Sequence, residues 1–223
     1  MTGYVLVFVI AAAFVAGGAL VQWQIWQARA RNIAAVAAAN GWAFGTADTT
    51  GCANTPFHVF ERGRARKAAN VCSFRDIRSG TLHLFDYRFT EGSGRSSRTY
   101  KHSCALRVAQ DWFPLLTIEH ESVYGGVLNA IGLEDLQFES EEFNRLFRVT
   151  SDDPRFACAV IDARMMAFLL DHDIRTAHIS VNGRYLLVWC DQLAPLDLPA
   201  LANFTFAFWS HIPSVVRELY PGK

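Results

Sequence analysis

The chain has 223 residues, 51% of them apolar and 19% charged, with 21 basic and 21 acidic side chains. That composition excludes a disordered, collagen-like or cysteine-stapled protein, and a formal net charge of zero argues against wholesale nucleic-acid binding. The charge is unevenly spread: none precedes Arg29, so the apolar excess sits in the first 28 residues and the rest has the composition of one soluble domain.

Residues 4–21 read YVLVFVIAAAFVAGGALV, with no polar side chain except the Tyr4 hydroxyl. At 1.5 Å per residue the run spans about 27 Å, or about 34 Å if extended to Trp26, which brackets a hydrocarbon core of roughly 30 Å. Tyr4 at one end and Trp23 and Trp26 at the other fit the two interfacial aromatic belts. The sequence therefore predicts a transmembrane anchor over 1–26. The alternative is a cleaved signal peptide: the Ala-rich stretch offers a cleavage site, but the leading MTG has no Lys or Arg and the apolar run is long for a signal. Arg29 and Arg31 follow the span with nothing to balance them in front, so the positive-inside rule places the C-terminal flank in the cytoplasm.

Residues 27–41 continue as a helical stalk ending at Asn40-Gly41, and 42–223 form a single domain. Thr, Asp, Gly and Asn between positions 46 and 54 predict a loop. From 56 to 119 the period is two. Tyr100, His102, Cys104, Leu106 and Val108 alternate with more polar neighbours, which predicts a strand with one buried and one wet face. Its expected partner is 81–90, across the polar loop EGSGRSSR, in a register that sets Phe85 opposite Cys104 and Tyr87 opposite His102. Further strands are expected near 56–61, 68–77 and 114–119.

Helices are expected at 121–132 and 140–147. Ser151-Asp152-Asp153-Pro154 starts another, whose buried stripe is Phe156, Val160, Ala163, Ala167 and Leu170. Residues 175–190 return to strands around Asn182-Gly183, a hairpin signal. Three-four spacing from Leu198 to Leu219 marks a last helix that Pro213 should kink or interrupt. Strands and helices are segregated, so the class is α+β: an N-terminal transmembrane helix followed by an antiparallel-sheet domain with flanking helices.

The run FESEEFNRLFRVTSDDPRFA at 138–157 resembles the signature of a group of uncharacterised bacterial single-pass membrane proteins. Asn40-Gly41-Trp42, the basic RGRARKAANV at 62–71 and Phe85-Asp86-Tyr87 are similar to theirs as well. The resemblance implies a membrane-tethered cytosolic domain. It implies no activity and carries over no catalytic residue.

Motif chemistry is sparse. The cysteines at 52, 72, 104, 158 and 190 show no C-x-x-C spacing and are expected to be free thiols, Cys104 and Cys158 on apolar faces. His102 and Cys104 share a strand face about 6–7 Å apart, a spacing that favours core filling over Cys–His catalysis. Asp171-His172-Asp173 follows the last turn of a helix, where His172 complements the negative helix end. Glu139, Glu141 and Glu142 fit a helix start. No phosphate loop, metal-ligand spacing or nucleophile elbow is present, and no metal or other cofactor is expected.

Charge distribution is the informative feature. Residues 62–107 hold 11 basic and three acidic side chains, while 111–173 hold 13 acidic and four basic. The two segments either neutralise each other in the fold or leave a basic surface exposed. Arg62, Arg64, Arg66, Lys67, Arg95 and Arg98 are the candidate contacts for such a surface, facing anionic lipid or an acidic protein partner. The expected function is a membrane-tethered, non-enzymatic binding or scaffolding module held to the lipid bilayer by its first helix. The alternative is a membrane-anchored hydrolase or thiol enzyme whose site is assembled from distant residues.

Overall fold

A computed structural model describes residues 2–76, 80–120, 135–172 and 177–220, with side chains of the first helix from residue 16 onward and without that of Asp76. Helix α1 (Thr2–Ala39) runs unbroken through the stretch expected to form the stalk. It stops at Gly41, whose φ of 70° is the left-handed conformation that ends helices. Among the described residues no helix is long and apolar enough to cross a membrane; most of the span expected at 4–21 lies outside the described side chains.

Six strands among the described residues form one antiparallel sheet: β1 (Ala43–Ala47), β2 (Arg64–Asp76), β3 (Gly80–Glu91), β4 (Arg98–His120), β5 (Phe147–Ser151) and β6 (His178–Asp191). The order is β1-β2-β3-β4, with β6 along the opposite edge of β4 and β5 replacing β3 beside its second half. The β3–β4 hairpin has the expected register, Phe85 opposite Cys104 and Tyr87 opposite His102. With helices α2 (Glu141–Leu146), α3 (Pro154–Val160), α4 (Ala163–Leu170), α5 (Leu198–His211) and α6 (Ser214–Leu219), the class is α+β.

One sheet face carries the helices. Leu82, Leu84 and Ala105 pack there with Phe156, Met165, Leu169 and Phe208, and with Ile33 and Ala37 from the end of α1. The other face is covered by the segment before β2. Its Phe57, Val59 and Phe60 lie on Phe85, Tyr87 and Phe89, and the Phe60 ring meets Tyr87 edge-on at 4.8 Å. Burying each such side chain contributes roughly 1.5–3 kcal/mol, enough to hold two short turns without regular pairing. Both faces being covered, residues 103–107 of β4 are all buried, rather than alternating wet and dry as expected.

Several expected elements differ. Residues 56–61 are not a strand, since His58–Phe60 form a 3-10 turn whose job is to cover the sheet. The expected strands at 100–108 and 114–119 are one strand, β4, bent where its register against β6 shifts between Val108, Phe113 and Leu116. Pro114, which cannot donate to the ladder, sits inside that irregularity. Asn182-Gly183 makes no hairpin. Gly183 pairs with Phe113 at φ 58°, so the left-handed preference serves a bulge within β6.

The expected helix from 154 breaks at Ile161-Asp162, because the Asp162 side chain accepts from the Met165 N–H and starts α4 anew. Residues 147–151, between two expected helices, are β5. The expected start at Asp153-Pro154 is present, with the Asp153 carboxylate accepting from the Arg155 and Phe156 N–H groups. Pro213 does separate α5 from α6. The helix expected at 121–132 lies outside the described residues.

Candidate functional site

Helix α1 leaves the domain along β3. Arg29 grips Asp86 at two points, Nε to Oδ2 at 2.8 Å and Nη2 to Oδ1 at 2.6 Å, and its Nη1 donates to the Leu193 carbonyl at 2.8 Å. Asn70 completes the cluster by donating Nδ2–H to Asp86 Oδ2 at 2.9 Å. Asn70 can do so because it sits in a β2 bulge at φ 54°, a conformation asparagine tolerates better than most residues. Paired and planar on both sides, this is the strong class of charge-assisted hydrogen bond.

One turn earlier on α1, Trp26 lies against Arg88, 4.3 Å from the guanidinium carbon to the ring centre, and 5.4 Å from the Lys67 ammonium. Lys67 is the register partner of Arg88, and Arg88 is the register partner of Lys101. Three cations thus stand in a row across three neighbouring strands, on the face where α1 lies. Between Trp26, Arg29 and the row is a small recess of about 50 Å³. Beyond Trp26 the helix is uncovered, with Leu20, Val21, Trp23 and Ile25 all more than half exposed.

The six residues expected from the sequence lie toward this end of the sheet, in different settings. Arg62 pairs with Glu91 and lies over Phe89. Arg64 donates to the Gly92 carbonyl, and Arg66 to those of Phe60 and Glu61. Arg98 stacks on Tyr100, and Arg95 is exposed in the turn of the β3–β4 hairpin. Only Lys67 reaches Trp26. Arg88 and Lys101, outside the expected set, complete the row; their pairing follows from the expected β3–β4 register, whereas the placement of Lys67 beside them depends on two bulges in β2. The ion pairs Arg29–Asp86, Arg62–Glu91 and Arg217–Asp111, and the His178–Glu119 hydrogen bond, do not join the basic segment to the acidic one.

His102 and Cys104 form no catalytic pair. The His102 Nδ1–H donates to the Cys190 carbonyl at 3.2 Å, and burial lowers the imidazole pKa. Cys104 is fully enclosed, and burial holds its thiol well above the ordinary range, so a thiolate is disfavoured. Cys158, expected on an apolar face, is exposed instead, because α3 turns that side outward. His172 caps its helix as expected, Nδ1–H to the Phe168 carbonyl at 2.7 Å; Asp173 lies outside the described residues. Glu141 and Glu142 occupy the first turn of α2. A cleft of about 300 Å³ on the opposite face, between Phe57, Val59, Leu115 and the Thr117–Ser180 hydroxyl pair, includes neither His102 nor Cys104.

No family model matches the sequence, and no curated protein matches it. Among solved structures, the chain is similar to the mycobacterial trehalose monomycolate transport factor A, TtfA, with a TM-score of 0.62 over 87% of this chain and 97% of that one, at 10% identity. At that identity what the two share is the fold.

Proposed function

We propose that the protein is a membrane-tethered, non-enzymatic accessory module at the cytoplasmic face of a bacterial membrane. In this reading residues 4–21 span the bilayer, and α1 is both anchor and structural element. The observation that carries it is the docking of α1: the helix is locked to β3 by Arg29 and Asp86, then leaves the sheet with apolar side chains uncovered. An exposed apolar stretch continuous with an 18-residue apolar run needs an apolar environment, and lipid supplies it on all sides of a helix. The lock makes the tether stiff, so the domain is presented to partners in one orientation. The shared fold with a transport factor supports an accessory role in transport over a scaffold of another kind.

The test is a pair of C-terminal fusions on the full chain in a bacterial host. Bright fluorescence from a cytoplasmic reporter, a silent alkaline phosphatase fusion, and retention in the membrane after carbonate extraction are expected. An active phosphatase fusion overturns the orientation, and release by carbonate overturns the anchor.

A further inference from the structure

We infer that the Lys67–Arg88–Lys101 row beside Trp26 seats the phosphate of an anionic phospholipid, an inference that rests on the membrane tethering proposed above. Like charges directly opposite on neighbouring strands are destabilising. Strand spacing of about 4.8 Å puts the three backbones within roughly 10 Å of one another. Among the described residues none of the three makes an ion pair. Asp86, two residues along the row's central strand and also lining the recess, is taken by Arg29 and Asn70. Trp26 steadies Arg88 and Lys67 through its ring but brings no negative charge.

Backbone strain brackets the row. Among the described residues, Ala65 at φ 52° and Asn70 at φ 54° are the non-glycine residues in the left-handed region, and they lie at the two register shifts of β2 on either side of Lys67. Strain of this kind costs of order 1–3 kcal/mol per residue and persists where the placement of a side chain matters. Here the two bulges bring Lys67 onto the face of Arg88 and Lys101.

The apolar surroundings select a lipid over free phosphate. The recess is walled by Ile25 and Trp26, and the helix continues outward through Trp23, Val21 and Leu20. A phosphate on the row would leave its acyl chains running along that stretch. A tryptophan at this level also matches the depth of the headgroup region.

The experiment uses the full-length protein in neutral detergent, with phosphatidylglycerol or phosphatidylcholine added at equal concentration and bound lipid counted by native mass spectrometry. Each basic residue at an anionic surface is worth roughly fivefold in affinity, so Lys67→Gln/Arg88→Gln/Lys101→Gln should lose phosphatidylglycerol by a factor on the order of one hundred. Arg64→Gln/Arg95→Gln/Arg98→Gln removes the same charge at the hairpin and should retain most binding. Equal loss in both variants means diffuse attraction and overturns the site. Equal binding of the two lipids by the native protein overturns it as well, and displacement by millimolar inorganic phosphate overturns its lipid specificity. Should the row variant fail to fold, Lys67→Gln/Lys101→Gln, both exposed, gives the same comparison with a smaller expected loss. A native protein that stays in the membrane through carbonate yet shows no lipid preference sinks this inference alone; one that is released sinks the tethering.

Discussion

Arg29 on α1 and Asp86 on β3 face each other in a two-point ion pair that joins the first helix to the centre of the sheet. Their side chains are 18% and 11% exposed, so each charge depends on the other for solvation. Removing one partner strands the other in a poor solvent, which in buried pairs costs about 3–5 kcal/mol. Arg29→Ala should therefore lower stability by about 3 kcal/mol, toward the low end because some water reaches the pair. Arg29→Ala/Asp86→Ala should cost less than the two single effects combined. Urea denaturation of the four proteins measures the coupling, and simple additivity would show that the pair does not lock α1.

Acid should loosen the fold through histidines. Burial lowers the pKa of His102 and of His83, whose Nδ1 meets the Ser73 hydroxyl at 2.7 Å. On acidification the unfolded chain takes up those protons first, so their stabilising effect is complete above the ordinary value of about 6.5 and is lost as pH falls below it. Urea midpoints at about pH 7.5 and about pH 5.5, either side of that value, should show a drop that is smaller in His102→Gln. An equal drop in the variant would assign the acid sensitivity elsewhere.

Thiol reactivity should separate one cysteine from four. Cys158 is exposed, while Cys52, Cys72, Cys104 and Cys190 are buried. Burial pushes the Cys52 and Cys190 thiols up to about 12 and that of Cys72 to about 11. Iodoacetamide on the native protein, followed by mass spectrometry, should modify Cys158 alone, and urea should open the other four. Early labelling of Cys52 would mean that the covering segment before β2 opens readily.

Gly183 should resist substitution. At φ 58° a side chain is strained, and an added Cβ would stand 3.3 Å from the Trp112 ring. Gly183→Ala should cost about 1–3 kcal/mol. Gly41→Ala, also at positive φ but with open space around it, should cost less. Thermal melting ranks the two, and a reversed order would contradict the close approach of Trp112.

Local chemistry was legible in the sequence and long-range pairing was not. The β3–β4 register follows from a symmetric loop, the start of α3 from Asp153-Pro154, and the break before α6 from Pro213. Asn182-Gly183 signals a hairpin that does not form: whether a glycine at positive φ turns a hairpin or bulges a strand is decided by the partner, here Phe113. Strands β1 and β5 are five residues each and acquire meaning only beside β2 and β4. The basic segment stood out by count. The Lys67–Arg88–Lys101 row did not, because plain alternation would set Lys67 on the opposite face, and only the bulges at Ala65 and Asn70 bring it beside Arg88 and Lys101.

In the proposed reading the domain is held at a membrane by α1, and because the helix passes from Asp86 to Arg88 as it runs back from Arg29 to Trp26, the β3–β4 hairpin end faces the lipid. A photoreactive amino acid placed in the full-length protein at Arg95, in that hairpin, or at Arg145, next to the far end of β4, tests it in native membranes. The two positions are separated by most of a 23-residue strand, tens of ångströms even after bending. Irradiation should cross-link lipid at position 95 and not at position 145; lipid adducts at 145 with none at 95, or at neither, would contradict the account.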